Sequence, residues 1–138
     1  MLLQIATAYI TTAIVFFAMD FVWLSKMTGL FYRARMGDML LAQPNFAVAG
    51  AFYMVYVAGI VYFAVYPALT SGVWTTALIS GALLGFVAYG TYDMTNLATL
   101  KNWSVSLSVV DMAWGTFLTA TAATAGYFLT SYLTRAGG

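Results

Sequence analysis

Apolar residues along this chain fall into four long runs, and polar ones gather in the gaps between them. The runs extend from about Ile5 to Ser25, Phe46 to Leu69, Val73 to Leu100 and Trp103 to Leu133. Each is long enough for a helix that crosses a hydrocarbon core of roughly 30 Å, which takes about 20 residues. Breakers mark the gaps. Gln43-Pro44-Asn45 precedes the second run, Pro67 and Thr70-Ser71-Gly72 end it, and Lys101-Asn102 divides the third from the fourth. The two short turns make neighbouring helices antiparallel. A membrane β-barrel would instead show segments of about ten residues alternating apolar and polar, and these runs do not. The pattern therefore predicts an all-α membrane protein: one domain over residues 1–138, an antiparallel bundle of four transmembrane helices. The first run carries Asp20 and lacks both a basic leader and an Ala-x-Ala cleavage site, so it reads as a retained span.

The gap from about Met27 to Gln43 is long for a connector. Leu30-Phe31-Tyr32-Arg33-Ala34-Arg35-Met36 mixes aromatics with arginines, as an interfacial segment at the headgroup level would. Lys26, Arg33 and Arg35 lie in or beside this gap and Lys101 in the third, whereas the second gap has no basic residue and the tail only Arg135. The positive-inside rule then puts Lys26, Arg33, Arg35 and Lys101 at the cytoplasmic membrane surface and both termini on the outer side. In a bacterial cell this is a multi-pass inner-membrane protein with periplasmic termini.

Composition agrees. Charged residues make up 7% of the 138, against about a quarter in a soluble domain, and 63% are hydrophobic, so most of the outer surface must face lipid. A net charge of +1 gives no basic face for nucleic acid. Cysteine and histidine are absent, which excludes disulfides, thiolate nucleophiles, haem ligation by histidine, and imidazole or thiolate zinc sites. Glutamate is absent too, so carboxylate chemistry rests on four aspartates.

Three of those aspartates lie inside the runs. A carboxylate at mid-bilayer costs about 2.5–3.5 kcal/mol even on lenient scales, so each should face the bundle interior or water. Asp20 lies six residues before Lys26, Asp93 eight before Lys101, and Asp111 eight after Trp103. All three thus fall roughly 9–12 Å below the same membrane face. Antiparallel topology brings them into one layer. Desolvation and mutual repulsion keep three such groups from all being ionised, so the layer holds a proton or draws in a cation. The candidates are H⁺, a hard metal, an amine, or Lys26 or Lys101 reaching down. No metal or cofactor is assigned. Asn96 and Tyr92 are candidates to orient the acids, and Tyr89, Asp93 and Asn96 share a helix face. Trp23 and Trp114 each follow an acid by three residues and are further candidates, while Trp74 and Trp103 fit an interfacial belt. Gly81 and Gly85 on the third run, and Gly115, Thr116, Thr119, Ala120, Ala123 and Thr124 on the fourth, are small residues that permit close approach. Polar residues also serve as glue between helices, and that is the bland account of the acids.

Several stretches resemble a bacterial family of small inner-membrane proteins catalogued as domain of unknown function 2177. They include Ala18-Met19-Asp20-Phe21-Val22-Trp23-Leu24, Phe31-Tyr32-Arg33, Phe52-Tyr53-Met54-Val55-Tyr56-Val57-Ala58-Gly59 and Tyr66-Pro67-Ala68-Leu69. Tyr92-Asp93-Met94-Thr95-Asn96-Leu97-Ala98-Thr99-Leu100, the most specific, and Asp111-Met112-Ala113-Trp114-Gly115 complete them, over nearly the whole chain. Arg33-Ala34-Arg35 departs locally, where a second arginine often follows the first directly. The resemblance implies a four-span membrane fold and no definite activity.

Three functions compete. Proton- or cation-coupled transport, or ligand binding, through Asp20, Asp93 and Asp111 comes first, and four spans would then call for a homo-oligomer. An accessory subunit holding a partner membrane protein comes second. A lipid-modifying enzyme comes last, because no catalytic motif accompanies the acids.

Overall fold

The computed structural model describes residues 1–37 and 45–137. Asp38, Gln43 and Pro44 lie outside them. The described residues form helices and turns without a strand. Four helices are long and apolar enough to cross a membrane: α1 (Leu2–Met27), α2 (Phe46–Ser71), α3 (Trp74–Thr99) and α4 (Val105–Gly137). Phe21, Phe52, Tyr62, Leu83 and Phe117 are all more than half exposed on the outside of the bundle. Such a surface would be costly in water and is ordinary in hydrocarbon.

The ends of the helices follow from local chemistry. Asn45 caps α2, its side chain accepting from the Val48 amide at 3.2 Å. Gly72 closes the same helix in the left-handed region (φ 74°), its amide donating to the Ala68 carbonyl at 2.8 Å. The helix ends at Thr70-Ser71-Gly72 as the sequence predicts, and of the expected breakers only Pro67 lies inside it. Its ring would clash with the carbonyl four residues back, and the chain accommodates it with a π-turn over Val61–Val65 just upstream. At the next turn Asn102 takes up φ 62°, and Ser104 caps α4 by accepting from the Leu107 amide at 3.1 Å. Asn tolerates that left-handed conformation better than most residues.

α4 is the central helix, packed along α1 on one side and α3 on the other. The α3–α4 seam is glycine-made. A methyl group on Gly81 would stand 2.9 Å from the Ala123 side chain and 3.1 Å from the Thr119 carbonyl. One on Gly85 would collide with the Gly115 carbonyl oxygen, and one on Gly115 with the Tyr89 ring. The backbones are therefore as close as small residues allow. Between α1 and α2 sits Phe16, fully buried, its ring 5.5 Å from Tyr53 and 5.6 Å from Tyr56. Cross-helix hydroxyl pairs add polar ties: Thr11 to Thr130 at 3.2 Å and Tyr56 to Thr119 at 2.8 Å.

The described part of the first loop continues α1. A second π-turn covers Thr28–Tyr32, and Arg33–Met36 follow in α-helical form. Arg33, Ala34 and Arg35 are exposed while Tyr32 is buried, so the segment is amphipathic as expected. The π-turn sets which residues face inward. In an unbroken α-helix Tyr32 would point about 120° away from Asp20. One extra residue in the turn reduces that to about 20° and aims Tyr32 into the bundle.

Candidate functional site

All four spanning helices contribute to one cavity of about 210 Å³. Asp20 comes from α1, Tyr53 from α2, Tyr89, Tyr92 and Asp93 from α3, and Asp111 and Trp114 from α4. Trp23 and Leu24 line it from α1, and Thr28, Tyr32 and Met36 from the segment beyond. Trp103, between α3 and α4, and Leu107 complete the lining. Three carboxylates and seven aromatic rings thus meet in one space with no lysine or arginine among them.

The three acids have different surroundings. Asp20, 5% exposed, accepts a hydrogen bond from the Trp114 indole at 3.3 Å and has Tyr53 beside it. Asp111 accepts from the Tyr32 hydroxyl at 2.7 Å. Asp93 is fully buried, and neither of its carboxylate oxygens has a hydrogen-bond partner. Asp111 neighbours it as a second acid, and a proton held by either carboxyl would bridge the two. Ser108 donates to the backbone carbonyl of Asp93 at 3.5 Å and leaves the side chain untouched. A buried polar group without a partner costs free energy, and a charged one costs more.

The two Asp-x-x-Trp segments interlock. Trp23 and Trp114 stack face to face, ring centres 4.2 Å apart and planes 5° from parallel. Each indole then serves the other segment's acid. Trp114 donates to Asp20 directly, and Trp23 donates at 2.9 Å to the Tyr32 hydroxyl, which donates in turn to Asp111. On the far side of the stacked pair lies an open apolar groove formed by Ala18, Met19, Val22, Lys26 and Met27.

Burial, and then the Asp111 carboxylate, push the Tyr32 phenol well above its usual value, so it stays a donor through the physiological range. Such a group contributes stability that is intact below the unfolded phenol's pKa of about 10 and is lost as pH rises beyond it. Tyr32→Phe is therefore expected to lower stability by about 1–3 kcal/mol at neutral pH. It should also flatten the alkaline decline above about pH 10. Thermal melts in detergent across a pH series check both.

Of the residues expected at the site, Asp20, Asp93, Asp111, Tyr92, Trp23 and Trp114 line the cavity. Asn96 does not. It lies beside the Tyr92 hydroxyl, while Tyr32, Trp103 and Leu107 form a small apolar cluster against which Leu97 packs. Trp103 is also no belt residue: it is 8% exposed, donates to Ser108 at 2.9 Å and meets Tyr92 edge to face. Trp74 is 45% exposed and lies beside the Phe128 ring, centroids 6.1 Å apart. Lys26, Arg33, Arg35 and Lys101 are exposed, and none is paired with an acid among the described residues. Arg35 lies over the Phe31 ring at 4.7 Å and donates to Ser106 at 3.0 Å. Tyr32, Tyr53, Tyr89 and Trp103 are lining residues that the sequence did not single out for the site. Of these, Tyr89 stands on the helix face that the sequence already assigns to Asp93.

A four-span helical bundle with an acid-lined cavity inside its apolar region defines the class: a polytopic helical membrane protein. The chain belongs to the family of predicted membrane proteins DUF2177, whose model matches residues 5–128. No curated protein and no solved structure matches it.

Proposed function

We propose that this protein binds a cation, or a ligand coupled to proton movement, inside the bilayer through Asp20, Asp93 and Asp111. The observation that carries the proposal is the Asp93 carboxylate, fully buried, lining a cavity and unpartnered. Glue between helices needs a donor across the interface, and no hydroxyl, amide or indole of the described residues donates to Asp93, whose neighbour is a second acid, Asp111. Asp20 and Asp111 hold one donor each and keep lone pairs for a further partner. With no basic side chain in the lining, positive charge has to come from outside the chain. The layer lies just inside one membrane face, where Lys26, Arg33, Arg35 and Lys101 contact anionic lipid on the cytoplasmic side. Two copies would be needed to extend such a site into a transport path.

The test is a comparison of the wild type with the triple variant Asp20→Asn, Asp93→Asn, Asp111→Asn, both in lipid nanodiscs. Calorimetric titration with inorganic cations and simple amines, in buffers of different ionisation heat, reads ligand uptake and proton release together. Wild type is expected to bind at least one cation, with the signal lost in the variant. Identical behaviour of the two proteins towards every cation, and towards protons, would sink the proposal.

A further inference from the structure

The lining also selects among cations, and this selection rests on the binding role proposed for the acid layer. We propose that the occupant is a small organic ammonium carrying alkyl substituents, held by carboxylates and aromatic rings together.

Three observations converge on that chemistry. First, no group of three acids among the described residues is disposed to hold one metal ion. Hard divalent ions ask for about six or more oxygen ligands in a tight shell, and this cavity presents carboxylates spread among rings. Secondly, the indole N–H groups at the site are already donated within the protein: Trp23 to Tyr32, Trp114 to Asp20 and Trp103 to Ser108. Tyr32 likewise donates to Asp111. The site therefore presents ring surfaces and acceptor oxygens, with the hydroxyls of Thr28, Tyr53, Tyr89 and Tyr92 as its remaining donors, and its three acids disfavour an anion. Thirdly, its volume of about 210 Å³ lies below the range for drug-sized ligands and exceeds what one desolvated metal ion fills. A nitrogen cation with methyl or ethyl groups matches all three. Its charge is diffuse enough to lose water cheaply, its alkyl groups lie against rings, and the ring quadrupoles attract the charge. The unpartnered Asp93 supplies the counter-charge or, to an ammonium that keeps an N–H, an acceptor.

Three of the four tryptophans line the cavity, so indole fluorescence of the full chain in nanodiscs reports occupancy. Tetramethylammonium, methylammonium, Na⁺, K⁺ and Mg²⁺ are titrated at constant ionic strength. Tetramethylammonium or methylammonium should give a saturable response at least about tenfold tighter than either alkali ion. Tyr92→Leu removes a ring that makes no hydrogen bond to the acids. It should weaken tetramethylammonium by about tenfold, and Tyr92→Phe should restore it. The Leu and Phe variants control for each other's folding, and Asp93→Asn keeps the side-chain shape. If Na⁺, K⁺ or Mg²⁺ binds as tightly as the ammonium ions and Asp93→Asn removes that binding, the ligand class is wrong and the acid-layer role survives. If no cation gives a response and Asp93→Asn changes nothing, both fail.

Discussion

Gly85→Val is expected to cost the bundle about 3 kcal/mol, the upper end of what overpacking a tight core exacts. A side chain at this position would collide with the carbonyl oxygen of Gly115 and press on Thr119. Neither can yield easily. The oxygen belongs to the backbone of the central helix, and the Thr119 side chain is fully buried and bonded to Tyr56. The only relief is to move α3 away from α4, which opens the most extensive seam in the molecule and shifts Tyr89 and Asp93 with it. Thermal unfolding in detergent, followed by circular dichroism or by aggregation on heating, should show a sharply lower midpoint. Gly59→Ala is the matched control. Gly59 lies in α2 with nothing within 4 Å of where a methyl group would stand. There the change should be neutral or stabilising by about 0.5–1 kcal/mol, because alanine favours the helix. Equal losses in the two variants would mean that the close approach of α3 and α4 does not hold the bundle together.

The second large effect has two parts of opposite sign. Asp93→Asn is expected to abolish cation binding and, in the same protein, to raise thermal stability by about 1 kcal/mol or more. Both follow from one fact. The carboxylate is buried with no donor bonded to it and a second acid beside it, so exchanging it for a neutral amide of the same shape removes a desolvation penalty, and the amide can donate to Asp111 in its place. Sites kept for function often carry such a cost. An interhelical glue residue would behave in the reverse way, losing stability when altered. Parallel melting curves and cation titrations decide. A lowered melting point with unchanged titration would assign Asp93 to structure alone.

Much of this arrangement was legible in the chain. The four runs predict four spans because only an apolar stretch of about 20 residues satisfies both lipid and backbone. The depth of each acid could be counted from the nearest polar gap, and antiparallel order turned three separate counts into one layer. What could not be read was whatever depends on a departure from regular geometry. Trp103 looked like an anchor at a membrane face. Its inward position depends on the turn through Asn102, whose left-handed backbone no spacing rule announces. Pro67 looked like a stop, whereas the π-turn before it lets the helix continue. Asn96 shares a face with Asp93 on a helical wheel, which does not tell that it meets Tyr92 and stays out of the cavity. The Asp-x-x-Trp repeat was visible as a pattern, but the exchange of partners between its two copies requires both helices in place.

A π-turn amounts to a single supernumerary residue that a helix has absorbed without breaking. Between Thr28 and Tyr32 that residue acts as a phase corrector. Without it, the drift of an ordinary helix would carry the phenol round by about 100°. Asp111 would then lose its donor and Trp23 its acceptor. The length of this segment, more than its composition, is what keeps a proton donor facing the acids from beyond the end of the span.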